Sequence, residues 1–568
     1  MTIKPKSSFR ALALVAAGLL AAGLAACSSS NSAPSGNSAG SAGRGATLVM
    51  ESSPENGITR DFNPFVSTAA PQGMGATGLI YEPLYQFDLA QPTIKYKWLA
   101  TNYAWGPDGR SITFTIRTGV KWSNGTPMTP ADVAFTYNYI KQHKAINLAG
   151  LNISSVTSSG DTVTVSFPTP QYTNLQNIAG VAILPQAIWG SINNPSGFTD
   201  SDPVGTGPYT LGSFTQQGFT MVKNPDYWQE SKIHVPKVYF PVYTSNTGVL
   251  SALFAGQIDW TGNYIPSLER DFVDTDPADH HFWEAAGSSN ALWPNLNRWP
   301  TNQLPVRQAI DLAINRDQIG ADGESGLESA LTNASGITLP TFSAWSGPVA
   351  NDTVSATGDV AAAKSVLTHA GYTMGSNGFY QMHGKTLALK LTDPSSYTDY
   401  AQDDALIAQQ LRAAGIDVTF VGEQVTTWNA DVASGNFDLT LHWGSVGVTP
   451  YNLYDNWLDD SLVTSTGATG DFERLSDPAI ESDLRALSAA PDLTSQTAAL
   501  APIAKYVENN LPVIPTTTAA DWFEYNSQNY VGWPTQTNPY DSGEPSGTDN
   551  GPGTGSDEVV LLHLTPAG

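Results

Sequence analysis

Cysteine and basic residues are scarce in this sequence of 568 residues. It contains 1 Cys, and 26 Lys and Arg stand against 51 Asp and Glu, which gives a formal net charge of -25 at pH 7. One Cys cannot form an internal disulfide, so the fold must hold by packing alone. Binding to nucleic acid depends on clustered Lys and Arg, and the sequence has no basic run beyond its N-terminus. The two shortages exclude a disulfide-stabilised scaffold and argue against a nucleic-acid partner.

Motifs of common catalytic and nucleotide-binding sites are also missing. The sequence has no GxxxxGK(S/T) phosphate loop and no HExxH pair. A GxGxxG match at 73–78 follows a Pro-Gln turn instead of a strand, so we interpret it as a flexible turn and not as a dinucleotide site. His280 and His281, beside the acidic loop DTDPAD, are interpreted as a solvated loop and not as a metal site. We therefore expect no catalytic residue, no metal and no cofactor.

The N-terminus has the organisation of an export signal. Three basic residues precede an apolar run at 11–22, which is shorter than the roughly 20 residues of a membrane span. The run ends in LAAC, which resembles the bacterial lipobox, a motif in which the Cys sulfur receives a diacylglyceryl group. We interpret residues 1–26 as a signal peptide and Cys27 as a lipidation site. The alternative is an ordinary cleavage site with a chance Cys.

Two stretches of low complexity flank the part of the chain that can fold. Residues 27–45 are interpreted as the lipidated Cys and a Ser/Gly-rich tether, which would hold the folded part on the outer face of the cytoplasmic membrane. The folded part is expected to begin near Ala46, where TLVM is apolar. The second stretch begins at Asp541 and precedes VVLLHL. We predict that VVLLHL is a final strand that pairs with a sheet formed earlier.

Strand and helix patterns alternate between these stretches, which favours an α/β architecture with parallel strand pairs. SITFTIRTGV from Ser111 alternates like a half-buried strand. Thr129, Pro130 and Asp132 together predict a helix start, because they supply a cap, a residue suited to the first turn and an acid that favours the helix dipole. Further helices are predicted from Pro305, Asp359 and Asp403, the last two capped by Gly371 and Gly415, and strands follow from Ile416 and Phe437.

Five blocks of sequence share their order with one family. They are PDGRSITFTIRTGVKWSNGTPMTPADVAF from Pro107, GTGPYTLGSF with NPDYW from Gly205, LSALFAGQIDW from Leu250, VRQAIDLAINRDQI from Val306 and AAAKSVLTHAGY from Ala361. On these blocks, the chain resembles the extracytoplasmic solute-binding proteins of family 5, the oligopeptide- and dipeptide-binding type that supplies ABC importers. The resemblance runs from about Thr47 to Pro515.

The resemblance implies a two-lobed periplasmic-binding-protein fold of class II, in its large form with an extra subdomain and two hinge strands between the lobes. It implies a monomer that binds a solute in the crevice between the lobes and delivers it to ABC permease subunits, with the ATPase subunits reached indirectly. Lobe one is expected at 46–80, 205–267 and 511–568, the extra subdomain at 81–204 and lobe two at 268–510.

The resemblance also bears on the cargo. In peptide-binding members, a strand of lobe two ends in Trp-x-x-Asp-x-x-x-Pro, and its Asp takes the α-ammonium of the peptide. Here the stretch is HWGSVGVTPYNLY, in which Trp443 and Pro450 place Val446 at the Asp position. A buried ammonium without a counter-charge is expensive, so a free peptide N-terminus is not expected to bind there in the usual way. The alternative is a shifted loop in which another acid, such as Asp455 or Asp459, substitutes.

Aromatic and hydroxyl side chains favour an uncharged ligand. Trp443 is the first candidate for a platform under a sugar ring and Trp260 is the second, with the core as the alternative place for each. Hydroxyl groups follow two predicted strands and suit a polar ligand without charge. We therefore expect an oligopeptide from the family and a neutral oligosaccharide as the alternative, with a surface sensor or hydrolase as a remote one. The predicted ligand-binding residues are Ser52, Ser53, Trp260, Asn263, Trp293, Ser395, Tyr397, Trp443, Ser445 and Val446.

Overall fold

The structure is a computed structural model that describes residues 47–52, 57–347, 349, 351–445, 447–545 and 553–568. The predicted signal peptide, Cys27, the tether, Ser53 and Val446 lie outside the described residues. Within the described part of the chain, no helix combines the length and the apolar character that crossing a membrane requires.

Strands and helices alternate along the chain, which confirms the predicted α/β class. The strands are β1 (Leu48–Val49), β2 (Tyr85–Phe87), β3 (Lys95–Lys97), β4 (Ala100–Trp105), β5 (Ser111–Ile116), β6 (Ser155–Ser159), β7 (Thr162–Ser166), β8 (Tyr209–Thr215), β9 (Gly218–Lys223), β10 (Lys237–Pro241), β11 (Trp260–Thr261), β12 (His280–Phe282), β13 (Ala285–Pro294), β14 (Thr373–Met374), β15 (Tyr380–Met382), β16 (Lys385–Thr386), β17 (Ala388–Pro394), β18 (Asp417–Glu423), β19 (Leu439–Trp443), β20 (Val463–Thr464), β21 (Gly467–Ala468), β22 (Ile514–Asp521), β23 (Glu524–Asn526), β24 (Tyr530–Val531) and β25 (Thr565–Pro566).

The helices are α1 (Ala70–Gly73), α2 (Thr77–Ile80), α3 (Pro130–Gln142), α4 (Leu175–Ala179), α5 (Gln186–Trp189), α6 (Asn246–Phe254), α7 (Leu268–Asp271), α8 (Leu304–Ala313), α9 (Arg316–Gln318), α10 (Val360–His369), α11 (Thr398–Ala413), α12 (Val425–Ser434), α13 (Pro450–Leu458), α14 (Pro478–Ser488), α15 (Leu493–Asn510) and α16 (Ser556–Leu561).

Lobe one is built on a four-stranded sheet in the order β1-β10-β9-β8, in which β1 is parallel to β10 and the other pairs are antiparallel. A second antiparallel sheet, β4-β5-β7-β6, packs against α3 and forms the extra subdomain. One hydrophobic core runs through both, and it includes Leu48 of β1, Phe114 of β5 and Leu564 near the C-terminus. The extra subdomain is therefore joined to lobe one by continuous packing.

Lobe two is built on a mixed sheet in the order β18-β17-β19-β13-β22. Helices α8, α10 and α11 cover one face of this sheet, and α13, α14 and α15 cover the other. Successive residues of β13 alternate between these faces, since Leu292 packs in the first core and Trp293 in the second. Both faces of the sheet are thus buried, so a ligand can reach this sheet at the ends of its strands.

Two strands connect the lobes. β12 pairs with β23 beside lobe one, and the chain continues through 283–284 into β13 of the lobe-two sheet. On the return, β22 of lobe two continues through 522–523 into β23. This arrangement confirms the predicted two-lobed fold with two hinge strands. The chain crosses from lobe one to lobe two at 283–284 and returns at 522–523. The sequence analysis places these two boundaries at residues 268 and 511.

Local chemistry sets the predicted helix ends. The backbone N–H and the hydroxyl of Thr129 both donate to the Asp132 carboxylate, which closes the start of α3. Gly371 and Gly415 follow the ends of α10 and α11 with φ of 90° and 86°. This left-handed conformation is costly for residues with a Cβ, so both helices stop where the sequence predicts.

Two interpretations of the sequence are wrong. VVLLHL does not form a strand, because its first residues belong to α16 at 556–561, which is buried in the core of lobe one. A continuous apolar run fits a buried helix as well as a buried strand, so the pattern alone does not separate them. His280 and His281 do not form a solvated loop either, since they lie in β12, where the ring of His280 stacks on Phe272 at 4.3 Å.

Candidate functional site

The lobe-two sheet directs the carboxyl ends of three strands toward the lobe junction. β17, β18 and β19 are parallel and end at Pro394, Glu423 and Trp443. Trp443 pairs with Asn290 of β13, and the same strand reaches the crossing between the lobes at Ala285. The carboxyl ends of parallel strands commonly border ligand crevices. The crevice beside these ends is therefore the candidate site.

An aromatic cluster lies at this edge. The ring centroid of Trp443 lies 6.2 Å from that of Tyr397 and 6.1 Å from that of Tyr400. Trp443, Tyr397 and the following Ser445 are partly exposed, whereas Tyr400 is buried and donates its hydroxyl to Asn290 Oδ1 at 2.9 Å. The structure thus brings three predicted residues together and adds Tyr400. Tyr400 follows Tyr397 by three residues, and residues at this spacing are neighbours on a helix surface. This spacing is the sequence signal that would have identified Tyr400.

Ser395, another predicted residue, is exposed at the same edge. It follows β17, and its hydroxyl donates to the Glu423 carbonyl at the end of β18 at 3.1 Å. This bond ties two of the strand ends together, so Ser395 stabilises the edge on which the aromatic cluster lies.

Lobe one contributes a buried polar edge. β1 and β11 run side by side, linked by a parallel bridge, and the predicted residues Ser52 and Asn263 follow their ends. Asn263 Nδ2 donates to Glu51 Oε2 at 2.8 Å, and Thr261 Oγ1 donates to the same oxygen at 2.6 Å. The backbone N–H of Asn263 also donates to Glu524 Oε2 at 3.2 Å. Asn263 therefore orients two carboxylates at the lobe junction.

Trp260 and Trp293 do not lie at the crevice, which corrects the prediction of a ligand surface at these positions. Trp260 is 0% exposed, and its indole N–H donates to the Gly543 carbonyl at 2.8 Å. Trp293 is 1% exposed and stacks on His442 at 4.6 Å. Both rings are packed inside a lobe, because a Trp ring buries enough apolar area to be retained in a core.

Among the described residues, hydrogen bonds join the two lobes at several places. The backbone N–H of Val448, in the loop after β19, donates to Gln176 Oε1 of α4 at 2.9 Å. The Tyr264 hydroxyl of lobe one donates to the Gly323 carbonyl of lobe two at 3.1 Å. Ser488 at the end of α14 bonds to the extra subdomain through the Pro170 carbonyl at 3.1 Å. Val448 also packs in the core of lobe one, so the loop that carries the predicted site bridges the crevice.

A cavity of about 310 Å³ lies between lobe one, the extra subdomain and the segment before α16. The GxGxxG segment at 73–78, which joins α1 to α2, contributes to its wall, as does Gly180 directly after α4. Because α4 also carries Gln176, the cavity lies beside the contact with lobe two. Its described lining contains neither Lys nor Arg. Its polar side chains include Gln72, Thr77, Tyr81, Gln86, Asn147 and Asp557.

Five carboxylic acids meet where α11 packs against residues 319–328, and we call them the α11 acid cluster. Burial raises the pKa of all five above the ordinary range, and charges of neighbouring members raise it further in most of them. For Glu324, burial together with the charges of Asp403 and Asp399 raises the pKa to about 11. Sequence reasoning missed this cluster, because 51 acids give no sign of which ones are buried together. Its members are Glu324, Glu328, Asp399, Asp403 and Asp404.

Further acids lie on the strands that cross between the lobes. Burial, and then the charge of Glu524, raises the pKa of Glu284. Burial raises the pKa of Glu524 as well, and Glu51 adds to the shift. Burial together with the charge of Asp541 raises the pKa of Asp521, at the end of β22, to about 7. The lobe junction is thus rich in carboxyl groups that resist ionisation.

Two lobes, two connecting strands and a crevice bordered by strand ends define a binding protein that encloses a solute between its lobes. Residues 96–464 match the family of bacterial extracellular solute-binding proteins, family 5 (middle region). The chain belongs to this family, which confirms the resemblance seen in the sequence. It is therefore an extracytoplasmic substrate-binding protein of the ABC-importer type and not an enzyme.

Relatives of the chain are named for different solutes. The chain is 27% identical to the nickel-binding periplasmic protein of Escherichia coli over 456 residues, which cover 77% of this chain and 82% of that protein. It is 26% identical to the oligopeptide-binding protein OppA of Bacillus subtilis over 247 residues, 39% of this chain and 45% of that one. The family therefore does not by itself identify the cargo.

Solved structures show the same fold. A mannohexaose-bound periplasmic oligopeptide-binding protein of Thermotoga maritima superimposes with a TM-score of 0.78 at 23% identity, over 92% of this chain and 99% of that one. The oligopeptide-binding protein AppA of Bacillus subtilis, in complex with a nonapeptide, gives a TM-score of 0.71 at 18% identity, over 92% and 99%. At these identities, the likeness establishes the fold alone.

Proposed function

We propose that this protein is a lipid-anchored receptor that captures an oligomeric solute between its lobes and presents it to ABC permease subunits. The observation that carries the proposal is the edge at the ends of β17, β18 and β19, where Trp443, Tyr397 and Ser445 are partly exposed beside the crossing strands. A solute that touches both lobes favours the closed form by its differential affinity for that form. The permease then recognises the closed form.

Attachment through Cys27 keeps the receptor near its permease on the outer face of the cytoplasmic membrane. The lipobox-like LAAC supports this part of the proposal. Two or three acyl chains anchor a protein stably, whereas one chain does not. One chain supplies both walls of the crevice, so a monomer is sufficient for binding.

The first candidate cargo is an oligopeptide. The relatives named for oligopeptides support it, as does the fold shared with a nonapeptide complex. A crevice bordered by strand ends also suits the backbone of an extended peptide.

A neutral oligosaccharide is the second candidate. Trp443 supports it, because a partly exposed indole at a crevice edge can stack on the apolar face of a sugar ring. Val446, where the peptide-binding pattern has an Asp, points the same way.

Mass spectrometry of the solute that co-purifies with the folded protein tests the proposal. We expect one oligomeric solute, bound at about one per chain and released on unfolding. A protein that releases no solute, and whose unfolding temperature is raised by neither a peptide mixture nor an oligosaccharide mixture, would contradict the receptor function.

A further inference from the structure

Both strands that cross between the lobes carry a glutamate at the crossing. Glu284 lies in the first crossing, between β12 and β13, and Glu524 begins β23 directly after the second crossing at 522–523. The two crossings are bonded to each other, because the backbone N–H of Trp283 donates to the Phe523 carbonyl at 3.0 Å. The backbone N–H of Phe523 in turn donates to Glu284 Oε2 at 3.3 Å. The two glutamates therefore lie in the hinge itself, and we call them the hinge pair.

The two side chains of the hinge pair are bonded to each other in the interior. Glu524 is 0% exposed, and its carboxyl group forms a hydrogen bond with that of Glu284. Its Oε2 also accepts from the backbone N–H of Asn263 at 3.2 Å. No N–H or hydroxyl group of the described residues donates to Oε1 of either glutamate. Two ionised carboxylates can only accept hydrogen bonds, so the bond between them requires a proton on one member of the pair.

The charged groups that face the hinge pair are acids. Burial raises the pKa of Glu284, and the charges of its partner, of Glu544 in the segment before α16 and of Asp521 at the end of β22 add to the shift. Burial also raises the pKa of Glu524, and the charge of Glu51, which follows β1 of lobe one, adds to that shift. None of the ion pairs among the described residues includes a member of the pair. These surroundings favour a pair that holds one proton over a pair that is fully ionised.

Opening of the lobes changes the backbone at this place. Rotation of one lobe against another is absorbed by a few residues at the ends of secondary-structure elements. In this fold those residues are 283–284 and 522–523, which include Glu284 and directly precede Glu524. A contact between side chains of two separate crossing strands is sensitive to this rotation, whereas a contact within one lobe is not. Protonation of the hinge pair can therefore depend on whether the lobes are open or closed.

We propose that the hinge pair makes lobe closure depend on pH, because Glu284 and Glu524 hold the two crossing strands together while they share a proton and separate when that proton is lost. This inference rests on the proposed receptor function and adds a regulation of the same crevice. In the open form, water reaches both carboxyl groups, and each ionises near the ordinary glutamate pKa of about 4.3. Above about pH 5, the closed form therefore binds one proton more than the open form. The ratio of closed to open protein then falls by up to about tenfold for each unit by which the pH rises, until the closed pair also loses its proton.

Small-angle X-ray scattering of the solute-free protein, at a series of values from about pH 5 to about pH 8, tests the inference. We expect the radius of gyration to increase with pH, because the closed fraction falls as the hinge pair loses its proton. No solute is added, so the titration of a solute cannot contribute to the change. Circular dichroism at each pH shows that the chain remains folded, which separates lobe opening from unfolding.

Amide variants assign the effect to the hinge pair. In Glu524→Gln, the amide N–H can donate to Glu284 at every pH, as the shared proton does in the wild type. We expect this variant to have, at the highest pH, the radius of gyration that the wild type has at the lowest, with no dependence on pH. Glu284→Gln should behave in the same way, and it serves as the second variant if the first does not fold. Glu269→Gln is the matched control, because Glu269 is an exposed glutamate of lobe one, and it should keep the wild-type dependence on pH.

The outcomes separate this inference from the receptor function. A radius of gyration that increases with pH in the wild type and in the control, but not in a folded amide variant, supports the inference. A wild-type radius that does not change with pH overturns it, as does an increase that persists in a folded amide variant. The receptor function is tested by the co-purified solute, so a protein that binds a solute without a pH-dependent radius keeps the receptor function and loses only the role of the hinge pair.

Discussion

Trp443 and Trp293 show how differently two tryptophans of neighbouring strands are used. Trp443 ends β19 at the crevice edge and is partly exposed, whereas Trp293 lies in β13 at 1% exposure. The ring of Trp293 stacks on those of His442 and Phe472, with centroid distances of 4.6 and 5.0 Å. We propose that the first ring contacts the solute, whereas the second stabilises the core of lobe two.

Replacement of these two rings should therefore have opposite effects. Trp443→Ala should lower the affinity for the co-purified solute by about tenfold or more, with a smaller change in unfolding temperature than Trp293→Ala, because a partly exposed ring leaves a smaller cavity than a buried one. Trp293→Ala should cost about 3–5 kcal/mol of unfolding free energy. Calorimetric titration and thermal unfolding of both variants measure the two effects. An unchanged affinity in Trp443→Ala would remove this ring from the site.

In the proposed lipid anchoring, attachment depends on Cys27. Cys27→Ser should release the protein from the membrane, because only the thiol can form the thioether to the diacylglyceryl group. Detergent-phase partitioning of the wild type and the variant measures the effect. A variant that remains wholly in the detergent phase would show that another anchor exists.

At the scale of elements, a hydrogen bond joins the loop after β19 to helix α4 across the crevice. The Val448 backbone N–H is buried and bonds to Gln176 Oε1 at 2.9 Å, so loss of that acceptor leaves a donor unsatisfied in the closed form. Gln176→Ala should therefore speed solute release several-fold with little change in the association rate. Surface plasmon resonance measures both rates. Asn177→Ala is the control, because its side chain bonds within its own segment, to Asn174.

Elements with strong local signals were predictable from the sequence. The start of α3 at Thr129 and the ends of α10 and α11 at Gly371 and Gly415 follow from capping and backbone freedom, which act over a few residues. The final apolar run was misread, because burial on all sides removes the periodicity that separates helix from strand. The two-lobed fold was predicted from the resemblance to family 5 and not from the hydrophobic periodicity of the sequence.

The candidate site was predictable only in part. Trp443 ends a strand of lobe two, and Tyr397 and Ser445 follow such strands. Strand ends gather at one edge, so order along the chain was sufficient to place these residues together. The α11 acid cluster joins residues 324–328 to Asp403 across the fold, and no local pattern reports such a contact. Contacts between residues far apart in the sequence, and the burial of particular acids, can be read only from the tertiary structure.

At the scale of the whole molecule, buried acids link stability to pH. Burial raises the pKa of Asp88 and Asp557 to about 7, and charge from Asp541 adds to each shift. Burial raises the pKa of Asp521 to about 7 in the same way. These groups bind protons more tightly in the folded chain than in the unfolded chain, where the pKa is about 3.9. Their contribution to stability is therefore present below about pH 4 and is lost as the pH rises to about 7.

The ligand-free protein should accordingly unfold at a lower temperature at pH 8 than at pH 5, by at least a few degrees. Scanning calorimetry across this range measures the shift. Asp557→Asn should reduce the difference, since an amide has no proton to lose. An unfolding temperature that is flat or rises between pH 5 and pH 8 would contradict the assignment of protonated buried acids.

Closure of two lobes around a solute is the central claim, and small-angle X-ray scattering with and without the co-purified solute tests it most directly. The structure has the lobes in contact through Val448 and Tyr264, which is the arrangement expected of the bound form. We expect a smaller radius of gyration with saturating solute, with the bound curve matching this structure, and a larger radius after the solute is removed. Identical curves for the two states, with a solute shown to bind, would contradict the account.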